Sequence, residues 1–220
     1  MLLSLFLFIL SSILLFLSSQ SLLSRLFRIL PLNLLFFLLL PGIFLHEFSH
    51  ILMAELLRVK TGELKLKPEF ANGHLTLGSA QIALTDPFRL TLIGTAPFLT
   101  GILALWLLLQ FGLGINFENF IINSFIENWA LKIVNFLYLY FVFAIANTLF
   151  SSPSDLQSAS IPLILVLIIF GAFKLANFNL PPTLIPYLSN FFFILSVIFF
   201  ISLAINLILL LPFKLFRKKS

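Results

Sequence analysis

The sequence predicts an all-α polytopic membrane protein of about six transmembrane helices, with a small β-hairpin between the second and the third. Its 220 residues are 60% hydrophobic and only 10% charged, with 29 Phe and a mean hydropathy of +1.14. That composition lies far from a soluble globular domain. Apolar runs of about 20 residues, the length that crosses a hydrocarbon core, recur along the chain. Between the second and third of them, apolar and charged residues alternate with the period of two that marks a half-exposed strand.

Residues 2–23 are nearly all Leu, Phe, Ile and Ser, and no basic residue precedes them, which favours a first transmembrane helix over a cleaved signal peptide. Arg25 and Arg28 follow, and Pro31 suits the first turn of a new helix. The second span covers 31–57, and Pro41-Gly42 is expected to bend or interrupt it and so to line a cavity. In the segment Glu63 to Leu84, Glu63-Leu64-Lys65-Leu66-Lys67 and His74-Leu75-Thr76-Leu77 flank the turn signal Asn72-Gly73. A hairpin at the membrane surface is the expectation. Asp86-Pro87 reads as an N-cap and first helical position. The third span, 88–113, carries the small residues Gly94, Thr95, Ala96 and Gly101, which allow close helix approach. Further spans are expected at 130–150, 161–176 and 188–211, and the whole chain reads as a single domain.

The absence of cysteine excludes disulfides and thiolate metal sites, so a metal here needs nitrogen and oxygen ligands. The net charge of +5 does not point to nucleic acid, because the basic residues sit in short loops and at the C-terminus. Lys214, Arg217, Lys218 and Lys219 place the C-terminus in the cytoplasm. Six spans then put the N-terminus there too, with Arg58, Lys60, Lys65, Lys67 and Arg89 on that side; only Arg25 and Arg28 disagree.

Within the second span lies His46-Glu47-Phe48-Ser49-His50, an H-E-x-x-H pattern. With 3 His and 6 Glu in the chain, such a pattern arises by chance on the order of once in a thousand sequences. Residues i and i+4 of a helix share a face, so His46 and His50 can turn an imidazole nitrogen toward one metal ion. Glu47 beside them is the residue type that zinc hydrolases use to take a proton from water activated by the metal. His74, the remaining histidine, reads as a solvated residue beside a turn. Asp155, in Ser152-Pro153-Ser154-Asp155, is the one acidic residue after Glu127.

A membrane-embedded H-E-x-x-H followed two spans later by an Asp at a helix end resembles the site-2 protease family of intramembrane zinc metalloproteases. The resemblance covers roughly His46 to Asp155, and Asn147 and Asp155 have the separation of the family's Asn and metal-binding Asp. It implies Zn2+ bound by His46, His50 and Asp155, with Glu47 as catalytic base. It also implies membrane-protein substrates that add as an extended strand to the element between Glu63 and Leu84. The chain departs from the family pattern at Leu156, where Gly is usual, and at Gly94 to Thr100, where Gly-Pro-x-x-Asn is met only loosely. Elimination agrees with the third ligand: Glu55 lies about 140° around the helix from His50, Asp86 is a cap, and Glu118 and Glu127 fall on the opposite side. Two further functions use the same residues. One is a catalytically silent metalloprotease-like scaffold; the other is a cation or proton transporter.

Overall fold

The computed structural model describes residues 1–66, 69–71, 74–76, 78–112, 133–149 and 184–216, together with 164, 168, 171 and 181. The chain is mostly helical. We label the helices α1 (Leu2–Ile29), α2 (Leu32–Leu56), α3 (Pro87–Leu107), α4 (Ile133–Thr148) and α5 (Leu184–Phe216). A π turn, Leu108–Gly112, extends α3. Among the described residues, four helices are long and apolar enough to cross a bilayer, over Leu2–Ile29, Leu32–Leu56, Pro87–Phe111 and Leu184–Leu211, and Val134–Thr148 is a shorter apolar helix. Of the expected span 161–176, only 164, 168 and 171 fall among the described residues, each helical.

Buried residues of α1 include Ser4, Phe8, Ser11, Leu15, Ser18 and Leu22, spaced alternately by four and three. That is the seam of a coiled coil, with serine where backbones approach most closely. The seam fits α5. Ser4 meets Ser189 at 3.1 Å, Phe8 meets Phe192 at 5.7 Å between ring centres, and Ser18 meets Asn206 at 3.2 Å. Partner numbers rise together, so α1 and α5 run parallel, and Met1 and Phe216 lie at opposite ends of the pair. Six alternating spans with both termini on one side require an antiparallel pair instead.

Asn206 is fully buried in this seam, and Asn147 of α4 is 2% exposed beside it. Their amides bond reciprocally, Asn147 Nδ2 donating to Asn206 Oδ1 at 2.8 Å and Asn206 Nδ2 to Asn147 Oδ1 at 3.0 Å. Asn206 Nδ2 also donates to Ser18 Oγ and Ser19 Oγ at 3.2 Å, and Asn147 Nδ2 to the Phe143 carbonyl at 2.9 Å. Three helices are thus joined by amide groups that hydrocarbon cannot solvate.

The expected interruption at Pro41-Gly42 is absent, and α2 is continuous from Leu32 to Leu56 with Pro41 inside it. Gly42 serves a different purpose. A Cβ there would collide with the Ala144 carbonyl and Thr148 Oγ1, so α4 approaches α2 backbone to side chain at this point. Tyr140 OH donates to the Phe37 carbonyl at 3.4 Å, which shows that α2 and α4 also run parallel. Gly101 of α3 gives similar room to Leu149, as the sequence suggested for its small residues.

The polar stretch forms two nested antiparallel pairs: β1 (Thr61–Lys65) with β4 (Ser79–Ile82), and β2 (Glu69–Ala71) with β3 (His74–Thr76). Ala71 opposite His74 leaves two residues between them, as the Asn72-Gly73 signal requires. The alternating Glu63–Lys65 segment, however, pairs with Ser79–Ile82 rather than with His74–Leu77. α2 ends just before β1 with Arg58 at φ 56°, where its N–H donates to Glu55 O at 3.0 Å and that of Val59 to Ala54 O at 2.8 Å. This is the left-handed close of a helix, and Val59 buries against Ala54 and Ile93.

Replacing Asn206 by Leu leaves the buried Asn147 amide without its reciprocal partner. We expect a loss of about 1 kcal/mol in unfolding measured in detergent micelles, whereas Asn33→Leu, at an exposed site on the first turn of α2, should be near neutral.

Candidate metal centre

His46 and Glu47 are buried, at 4% and 7% exposure, and His50 is half-buried one turn further on. Phe44, Phe48 and Leu52 fill the exposed face of the same helix, with Phe44 and Phe48 stacked at 5.6 Å. The motif therefore turns its titratable side chains inward and its aromatic ones outward, as the helical spacing requires. Ser49, also buried, donates to the His46 carbonyl at 2.6 Å and so satisfies itself within the helix.

The two imidazoles stand 5.1 Å apart between ring centres, at 78° to each other. Two imidazoles on one tetrahedral zinc, each with its nitrogen about 2.0–2.1 Å from the ion, place their ring centres about 5 Å apart. The spacing fits. His50 Nδ1 lies 2.9 Å from the carbonyl of Ile93 in α3. A carbonyl only accepts, so Nδ1 carries the proton and the lone pair of the neutral ring is on Nε2. This is the arrangement that orients a metal-binding histidine from behind.

Glu47 has a neighbour that sequence reasoning missed. Gly78, immediately before β4, sits against it so closely that a Cβ would lie 2.9 Å from Glu47 Cγ and 3.1 Å from Ile43 Cγ2. A glycine inside a strand pattern signals close approach of a backbone, but what it approaches is set by how the hairpin folds back on α2. The segment Glu63 to Leu84 thus reaches the motif through β4.

Two of the other acidic residues, Glu55 and Asp86, fall where the sequence suggested. Glu55 is exposed and accepts from Thr61 Oγ1. Asp86 caps α3, its carboxylate accepting from the Arg89 N–H at 3.0 Å and pairing with the Arg89 guanidinium at 3.2 Å. The Arg89 N–H holds its carboxyl below the usual carboxylate range, and the guanidinium adds to this. Among the described residues no three His, Asp or Glu side chains gather as a ligand set. Asp155 lies outside them, as do Glu118 and Glu127, and for His74 only the backbone is described. Asn147 does not face the motif; its amide is committed to Asn206. Helix α4 nevertheless ends at Thr148, against Gly42, one helical turn or about 6 Å along the axis before His46. Asp155 is seven positions after Thr148 in the sequence, a reach of up to about 23 Å.

Comparison of this chain with protein-family models, with curated proteins and with solved structures finds no match in any of the three.

Substituting Gly78 by Val drives two methyl groups into Glu47 and Ile43. We expect a stability loss of about 1–3 kcal/mol and a several-fold faster carbodiimide modification of Glu47, read by peptide mass spectrometry, as the carboxyl leaves its buried position. Unchanged modification would show that β4 does not hold Glu47.

Proposed function

We propose that this chain is an intramembrane zinc metalloprotease of the site-2 type, hydrolysing peptide bonds of membrane-embedded polypeptides. The observation that carries the proposal is the His50 imidazole, anchored through Nδ1 to a backbone carbonyl and spaced from His46 as one zinc ion requires. His46 and His50 supply two ligands, and Asp155 is the third, reached from the end of α4 beside the motif helix. Zinc held there would polarise a substrate carbonyl and bring the pKa of a bound water to about 7. Glu47 would accept a proton from the attacking water and deliver it to the leaving amine, and it is buried against the Gly78 segment. Gly78, immediately before strand β4, packs against Glu47, so an extended substrate paired along the sheet would lie close to the site.

Two variants test the chemistry. Glu47→Gln should retain zinc while losing about 10²–10⁴ in cleavage rate of a membrane peptide, because the amide keeps the shape but not the base. Asp155→Ala should lose both zinc and activity, with Asp86→Ala and Glu55→Ala binding zinc like the parent. Parental turnover by Glu47→Gln would sink the protease assignment; full zinc occupancy in Asp155→Ala would remove Asp155 from the ligand set.

The packing of the helices also bears on sidedness. α1 and α5 are parallel and α2 returns beside them, which we read as placing Arg25, Arg28 and the basic C-terminal tail at one membrane face and the hairpin, Arg58 and Arg89 at the other. The chain contains no cysteine, so single cysteines can be introduced at Thr61 and Ser220 without background. In sealed vesicles an impermeant maleimide should label one position and spare the other; labelling of both from the same side would overturn this topology.

A further inference from the structure

In an α-helix the carbonyl of residue i accepts from the N–H of residue i+4. For Ile93 that residue is Pro97, which has no N–H and whose ring also crowds the carbonyl it faces. Both residues are buried in α3. Neither lipid nor water can satisfy a backbone acceptor at such a position, so a side-chain donor is needed. The donor found there is His50 Nδ1, at 2.9 Å. We propose that Pro97 is a positioning residue for the metal centre: by removing the amide that would occupy the Ile93 carbonyl, it reserves that carbonyl for His50 and fixes the Nδ1–H tautomer.

The consequence follows from the chemistry of the ring. A neutral imidazole has one N–H and one lone pair, and a carbonyl facing Nδ1 excludes the tautomer with the lone pair there. Nε2 is then always the ligating nitrogen, and metal binding does not have to include a change of tautomer. Pro41, inside α2, offers an internal comparison. Pro41 removes the amide partner of Phe37, and that carbonyl accepts from Tyr140 OH at 3.4 Å, away from the histidines. Both prolines expose a carbonyl. Only the one in α3 faces a ligand of the proposed site.

This inference rests on the metalloprotease reading for its purpose, but its core is testable on metal-free protein. With 15N-labelled histidine in nanodiscs, the metal-free parent should show His50 protonated at Nδ1; an Nε2–H ring would overturn the proposal without any variant being made. In Pro97→Ala the restored N–H competes for Ile93 O, and the His50 signal should shift toward a mixture of tautomers. Zinc affinity, measured by competition with a chelator, should fall about tenfold in Pro97→Ala and stay at the parental value in Pro41→Ala. A Pro97→Ala protein with parental tautomer and parental affinity would refute the positioning role while leaving the metal centre standing. A parent that binds no zinc would instead remove the metalloprotease reading, and the tautomer measurement would still decide the role of Pro97.

Discussion

A backbone carbonyl without its amide has nowhere to turn inside a bilayer, and that constraint organises the centre of this protein. Pro97 creates such a carbonyl at Ile93, and His50 occupies it. One hydrogen bond thereby joins α2 to α3 and sets the proton position of an imidazole. In water the same carbonyl would be solvated at little cost, and the histidine would be free to choose either tautomer. The apolar surroundings make a modest contact decisive.

The remaining helices are placed by the same requirement met in other ways. Asn147 and Asn206 exchange both amide bonds and take in Ser18 and Ser19, so α1, α4 and α5 hold one register where hydrophobic packing alone would let them slide. Gly42 and Gly101 let α4 come close to α2 and α3. Together these contacts bring the end of α4 to the motif helix. The hairpin closes the other side, where Gly78 presses on Glu47 because it has no side chain to keep it away.

Much of this was legible in the residues. Apolar runs of spanning length located the five described helices to within about six residues, since a bilayer imposes both composition and length. The cap at Asp86, the antiparallel pairing of Ala71 with His74 on either side of the turn signal, and the exposed place of Glu55 follow from local chemistry, and each is found. His46 and His50 share an inward face because helical periodicity leaves no other choice. The expectation of an interruption at Pro41 was not met: a proline in a helix announces a lost hydrogen bond, yet Tyr140 supplies a donor to the freed carbonyl and the helix continues.

The sequence by itself determined that the chain is a membrane protein, where its helices lie, and that two histidines and a glutamate meet on one of them, because these depend on composition and on spacing along one element. What only the tertiary structure decided is which partners those groups meet: Ile93 behind His50, Gly78 against Glu47, Asn206 rather than the motif for Asn147, and α5 parallel to α1. Each is a contact between residues distant in the chain. Hydropathy in a bilayer is nearly the same on every face of a helix, so it carries little information about which neighbour that face will find; hydrogen bonds and close approaches at small residues make that selection, and they exist only once the helices are side by side.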